Sequence, residues 1–161
     1  MSPKVNLCAV LLSLSVSSAA WAVDPGAQAF LDAVYEPYRA GDGLDLRSKA
    51  KVARVFTPSL AALIAKDNAD SAKTGMYGRL DVDPFIWGQD WAATKVTVAV
   101  RDGRRPDEAI GTATYTVPGS RVSRRIVLDL AKTPAGWRVS DIRGPRQGSE
   151  SLRQILTGPL P

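Results

Sequence analysis

The feature that most constrains the fold is a change of hydrophobic periodicity after Trp91. Before it, apolar residues recur at helical spacing; after it, they alternate with polar residues, which is typical of strands with one buried face. Turn-forming pairs or triplets divide the alternating part into four segments. The predicted strands are Thr94–Val100, Ala109–Val117, Val122–Leu130 and Trp137–Ile142. Consecutive strands joined by short turns predict an antiparallel meander.

Two helices are predicted before the sheet and one after it. Asp24 is a favourable N-cap, Pro25 suits the first helical position, and an apolar stripe follows from Phe30 to Tyr38. Thr57-Pro58 repeats this start signal for a second helix, which we expect to fade between Lys66 and Ala72. We expect residues 46–55 to form a link and residues 73–91 a loop. Ser149 is the predicted N-cap of a short C-terminal helix.

These elements predict an α+β fold. Two N-terminal helices pack on a curved four-stranded antiparallel sheet, a cone, and a short C-terminal helix closes the chain. Folding at the predicted turns places Val98 opposite Gly111, Tyr115 opposite Val122 and Leu130 opposite Trp137. All apolar strand positions then share one face, which must meet the helices.

Two charged residues, Arg124 and Asp141, fall on this apolar face in the predicted register. Buried charges are costly unless paired, so we expect an ion pair between them. Gly111 and the small residue Ala113 leave space beside them, which allows a pocket lined by Tyr115, Arg124 and Asp141. The alternative interpretation is an ordinary ion pair at the rim of the sheet.

The first 22 residues have the layout of a secretory signal peptide. Lys4 supplies a positive start, Leu7–Val16 is an apolar run, and Ala20-Trp21-Ala22 is a small-x-small cleavage site. We therefore predict cleavage after Ala22, a single cone-like α+β domain over residues 23–161, and a periplasmic or secreted location. Cys8 lies near the start of the apolar run, where a lipidation site is not expected, so no stable membrane anchor is predicted.

The predicted mature domain contains neither cysteine nor histidine, since Cys8 is the only cysteine and histidine is absent. This excludes Ser-His-Asp and Cys-His catalysis and typical zinc sites, and no cofactor is expected. The formal net charge is +5 and comes mainly from arginine. Export and the lack of aromatic–basic alternation argue against nucleic acid. A solvated basic surface, or contact with an anionic envelope polymer or acidic protein, remains open.

The densest run of functional residue types lies between Leu80 and Trp91. Three carboxylates here are candidate ligands for a hard cation such as calcium: Asp81, Asp83 and Asp90. In a second interpretation the aspartates are turn and capping residues, and Trp87 and Trp91 close the open end of the cone. In a third, the loop borders a ligand pocket. Its predicted ligand-binding residues are Trp87, Gln89, Asp90, Trp91 and Arg124.

The order of elements resembles the nuclear-transport-factor-two-like (cystatin-like) superfamily. Asp83-Pro84, followed after four residues by Gln89-Asp90, resembles a family of secreted bacterial domains of unknown function. Further shared segments run along the mature chain: Phe30–Tyr38, Phe56–Leu60, Trp137–Ile142 and Ser151–Arg153. The resemblance implies an envelope protein, and dimers are common among such cones, so a homodimer is left open.

The superfamily includes both isomerase-like enzymes and pure binding modules, so fold alone does not select a function. The favoured expectation is a non-catalytic binding or interaction protein of the cell envelope. Its target would be a small ligand or a partner protein, one version being an immunity-like role. The alternative, implied by the isomerase-like members, is a small enzyme with Asp141 as base and Tyr115 as hydrogen-bond donor. Arg124 argues against it, because an adjacent guanidinium lowers a carboxyl pKa.

Overall fold

Helices pack on one face of a four-stranded antiparallel sheet with strand order β1-β2-β3-β4. The computed structural model describes residues 24–88, 94–117, 119–146, 148 and 150–160. In chain order the elements are α1 (Pro25–Arg39), α2 (Lys49–Val55), α3 (Pro58–Thr74), β1 (Thr94–Asp102), β2 (Glu108–Thr116), β3 (Ser123–Thr133), β4 (Gly136–Arg143) and α4 (Leu152–Thr157). The predicted α+β class is confirmed. The predicted signal peptide lies outside the described residues.

The helix starts follow the predicted capping chemistry, with one element missed. The Asp24 side chain accepts a hydrogen bond from the Gly26 N–H at 2.8 Å and caps α1. The predicted link contains α2, capped by Ser48 and burying only Val52. A seven-residue helix with one buried side chain has no readable apolar stripe, so periodicity could not find it. The third helix extends to Thr74, beyond the predicted fading point.

The C-terminal helix starts two residues later than predicted. Ser151, not Ser149, is its N-cap, and Ser151 and Gln154 form a capping box. Ser149 itself lies outside the described residues. Among the described residues, no helix is long and apolar enough to cross a membrane.

All three hairpins are shifted by two residues from the predicted register. Val98 pairs with Ala113 instead of Gly111, Tyr115 pairs with Arg124 instead of Val122, and Leu130 pairs with Val139 instead of Trp137. The strands end and begin at other residues than predicted: β1 ends at Asp102, β2 spans Glu108–Thr116 and β3 begins at Ser123. Because side chains alternate with a period of two, this shift keeps the apolar side chains of the strands on their predicted face.

A β-bulge in β4 overturns the predicted position of Asp141. Leu130 pairs with Val139, but Asp129 pairs with Asp141, so Ser140 is the extra residue. The bulge moves Asp141 off the face that carries Val139 and onto the face of Asp129. The predicted register could not include it, because no turn residue marks the extra position.

Both edges of the sheet are covered by described parts of the chain. At β4, the Thr57 N–H donates to the Val139 carbonyl at 2.9 Å. At β1, Gln28 of α1 accepts from the Val100 N–H at 3.0 Å, and its amide donates to the Val98 carbonyl at 3.4 Å. Covered edges resist pairing with other chains.

Candidate functional site

Residues 83–88, here called the plug loop, enter the space between α1 and the sheet. The Asp83 N–H donates to the Gly88 carbonyl at 2.9 Å, which closes the loop on itself. Phe85 and Ile86 are buried. The ring centroid of Phe85 lies 5.7 Å from those of Tyr35 and Tyr38. The interior of the predicted cone is therefore filled by the chain's own side chains.

Three tyrosine hydroxyls hold the plug loop in place. Tyr35 donates to the Phe85 carbonyl at 3.0 Å, and Tyr38 donates to the Asp83 carboxylate at 2.8 Å. From the sheet side, Tyr115 donates to the carbonyl of Ile86. Burial raises the pKa of all three phenols, so they stay neutral donors. The hydroxyl predicted as a catalytic donor, that of Tyr115, is thus engaged by the protein's own backbone.

Asp83 is the buried carboxylate of the plug loop. One oxygen accepts from the Phe85 N–H at 2.7 Å and the other from Tyr38. Burial raises the Asp83 pKa to about 6, and the two hydrogen bonds oppose part of that shift. For Asp83, the turn-and-capping interpretation is confirmed.

The three candidate cation ligands do not appear together in the described structure. Asp83 points into the protein, Asp81 is exposed, and Asp90 lies outside the described residues. Within the described ranges, no group of three or more aspartate or glutamate side chains is placed to hold a metal ion. The calcium interpretation stays a prediction.

Trp87, the last residue but one of the plug loop, has a left-handed backbone conformation, with φ of 46°. Its ring packs on Gly144, directly after β4; a Cβ at Gly144 would lie 2.5 Å from Cε2 of Trp87. Sequence reasoning missed Gly144, whose only signal was a glycine following a strand. The other predicted ligand-binding residues of this segment, Gln89, Asp90 and Trp91, lie outside the described residues.

The predicted pairing of Arg124 with Asp141 is wrong. Arg124 is exposed and lies opposite Tyr115 in the register, where its guanidinium lowers the phenol pKa against the effect of burial. Asp141 instead accepts hydrogen bonds from the Ile142 N–H at 2.9 Å and the Arg153 N–H at 3.1 Å, at the start of α4. The bulge in β4 separates Asp141 from the face that carries Tyr115.

A set of exposed cations surrounds the end of the sheet at which Trp87 lies. We call it the basic rim, and its members are Lys95, Arg121, Arg124, Arg125 and Arg146. At this end of the sheet, Tyr115 pairs with Arg124, Thr114 pairs with Arg125, and Thr94 precedes Lys95 at the start of β1. Arg146 follows Gly144 by two residues. None of the five forms an ion pair with any residue that the structure describes. Of the five, only Arg124 was predicted as a binding residue, because exposed arginines have no periodicity that would single out the others.

Comparison with known proteins gives likenesses of fold alone. No protein-family model matches the chain, and no curated protein matches it. One similar solved structure is the type VI effector–immunity complex Tae3–Tai3 from Ralstonia pickettii. The identity is 18%, covering 76% of this chain and 94% of that chain, with a TM-score of 0.49.

A second similar structure is the phospholipid-binding protein from Ralstonia solanacearum in complex with a phospholipid. The identity is again 18%, covering 81% of this chain and 82% of that chain, with a TM-score of 0.44. At this identity, both likenesses concern the path of the chain and not its function.

Proposed function

We propose that this protein is an exported, non-catalytic interaction protein of the cell envelope whose basic rim binds an acidic surface of a partner protein. The observation that carries the proposal is the plug loop. Phe85 and Ile86 fill the space in which an isomerase-like cone would hold its substrate, and three buried phenols bond to the loop. The space between α1 and the sheet is filled by side chains that stabilise the fold, so we assign binding to the surface of the protein.

The isomerase-like alternative requires a base and a donor facing one cavity. Tyr115 is bonded to the plug loop, whereas Asp141 lies across the sheet and accepts from the backbone of α4. Asp83 is the carboxylate nearest to the phenols, but its oxygens already accept from Tyr38 and Phe85. This arrangement favours a binding role over an enzymatic one.

The basic rim has the chemistry of a protein-binding surface. Arginine is enriched at interfaces, and three of the five rim residues are the exposed arginines Arg121, Arg124 and Arg125, at and just before the start of β3. Unpaired cations steer an acidic partner towards this surface and lose no existing ion pair when it binds. Two rims facing one another would repel, so the rim suits a different protein better than a second copy. An immunity-like role, in which an acidic toxin domain is neutralised in the periplasm, is one form of this proposal.

The binding test compares charge reversals at two arginine sites. A partner is crosslinked to the mature protein in whole-cell extract, identified, purified and titrated against wild type. The Arg121→Glu/Arg125→Glu variant should bind about tenfold or more weakly, with unchanged melting temperature. Arg104→Glu, on the loop between β1 and β2, is the matched control and should bind normally. Equal affinity of the rim variant and wild type would refute the proposed surface.

Export is tested separately, since binding does not depend on it. The full-length chain is expressed in a bacterium, and the periplasmic fraction is examined by intact mass and N-terminal sequencing. We expect a product beginning at Val23. An uncleaved chain in the cytosolic fraction would contradict the envelope location and leave the binding surface to its own test.

A further inference from the structure

A groove opens on the helical layer between α2, α3 and the segment leading into α2. Its volume is about 210 Å³. Its floor consists of aliphatic side chains: Leu46, Val52, Ala61, Ile64 and Ala65. Val52 and Ile64 are buried, whereas the two alanines are half-buried and leave the groove open between the helices.

The groove contains few polar groups, and one of them is already used. The side-chain amide of Asn68 donates to the Leu46 carbonyl at 2.9 Å, which ties the segment before α2 to α3. A bound peptide would require partners for its backbone N–H and C=O groups, and this lining supplies almost none. A flexible hydrocarbon chain needs only apolar contact.

The charged residues at the groove are basic. Arg47 and Lys49 line its mouth, and both are exposed with no ion pair to a described residue. Lys51 and Arg54 follow within α2, and residues 47–55 contain no acidic side chain. Asp45 precedes this run, and its carboxylate accepts from the Arg47 N–H at 3.0 Å. An apolar floor beneath two free cations complements an anion attached to a hydrocarbon chain.

We propose that this groove binds the acyl chain of an anionic lipid, with the lipid's anionic head group held between Arg47 and Lys49. The site lies on α2 and α3, which carry no residue of the basic rim, so the proposal does not rest on the proposed partner surface. It assigns an envelope ligand to a site that includes residues 46–55, which the sequence pattern predicted to be only a link.

The test uses three probes with the same ten-carbon chain and different head groups. Decanoate is anionic, decyl maltoside is neutral and decyltrimethylammonium is cationic. Each is titrated below its micelle concentration into the methyl-labelled mature protein, and the methyl resonances of Val52, Ile64 and Ala65 are followed. We expect decanoate to shift these methyls and to bind about tenfold more tightly than the other two probes.

Two variants separate the floor of the groove from its mouth. Ala65→Leu fills the floor and should weaken decanoate binding about tenfold or more, whereas Ala62→Leu, on the exposed side of α3, should not. Arg47→Gln/Lys49→Gln should remove the preference for decanoate while leaving the neutral probe unchanged, with Lys73→Gln as the control. Melting temperatures establish that each variant is folded.

The proposal is overturned by any of three results. The first is no methyl shift with decanoate. The second is equal binding of all three probes, which would mark a general detergent surface. The third is decanoate binding that Ala65→Leu leaves intact, which would place the chain elsewhere on the protein.

Discussion

The hydroxyl of Tyr38 donates a 2.8 Å hydrogen bond to Oδ2 of Asp83, joining α1 to the plug loop at a buried carboxylate. The same hydroxyl accepts from the Leu44 N–H at 3.1 Å. One phenol therefore connects the helix, the segment that follows it and the loop that fills the interior. The stability of the plug loop should depend on these two residues.

Asp83 should make the protein more stable at mildly acidic than at neutral pH. Its pKa is raised from 3.8 to about 6 on folding, so the folded state binds the proton more tightly. The free energy of unfolding should rise as pH falls through about 6 and level off near the unfolded value of 3.8. A shift of this size corresponds to roughly 2–3 kcal/mol.

Urea denaturation between about pH 4.5 and 7.5 measures this dependence. Asp83→Asn should flatten the profile, because its amide does not titrate. The half-buried carboxyls of Asp24 and Asp70 have pKa values lowered by their hydrogen bonds to Lys132 and Lys66, so their effects fall below this window. An unchanged slope in Asp83→Asn would assign the pH dependence to another group.

Tyr38→Phe should destabilise the protein by about 1–3 kcal/mol, because it leaves the buried Asp83 oxygen and the Leu44 N–H without this partner. Thermal and urea denaturation report the loss. Tyr77→Phe is the matched control, since Tyr77 is 84% exposed and should show no measurable change. Equal stability of the two variants would mean that the Tyr38 hydroxyl contributes nothing to closing the loop.

Gly144→Ala should destabilise the protein by about 1–3 kcal/mol, because the added methyl would displace the Trp87 ring. Gly88→Ala is the control within the plug loop: a Cβ there meets only the Ile86 carbonyl, at an ordinary 3.6 Å. Melting temperatures distinguish the two. Normal melting of Gly144→Ala would show that Trp87 is free to move.

Asp141→Ala should cost about 1 kcal/mol, whereas Asp141→Asn should cost less, because an amide oxygen can still accept from the Arg153 N–H. Amide hydrogen exchange at Arg153 should quicken only in the alanine variant. A catalytic base would behave differently, since Asn would then remove activity as completely as Ala. Loss of a measured turnover in a folded Asp141→Asn protein would restore the enzymatic alternative.

Much of the fold could be predicted from local pattern. Alternation assigns strand positions to a face, and for the apolar residues this assignment survived a two-residue shift in all three hairpins. Capping side chains such as Asp24 act within a few residues of themselves, so the start of α1 was readable. The helix α2 within the predicted link could not be predicted, because a single buried valine, Val52, produces no helical pattern of apolar residues.

The sequence by itself determined the class of fold, the buried face of the sheet and the exclusion of histidine chemistry. Each of these depends on composition or on spacing along the chain. The tertiary structure alone decided that the interior is filled by the plug loop, since Tyr38 and Asp83 are 45 residues apart. It also decided that a bulge places Asp141 beside α4. Contacts between distant segments depend on how whole elements pack, and no local pattern records that packing.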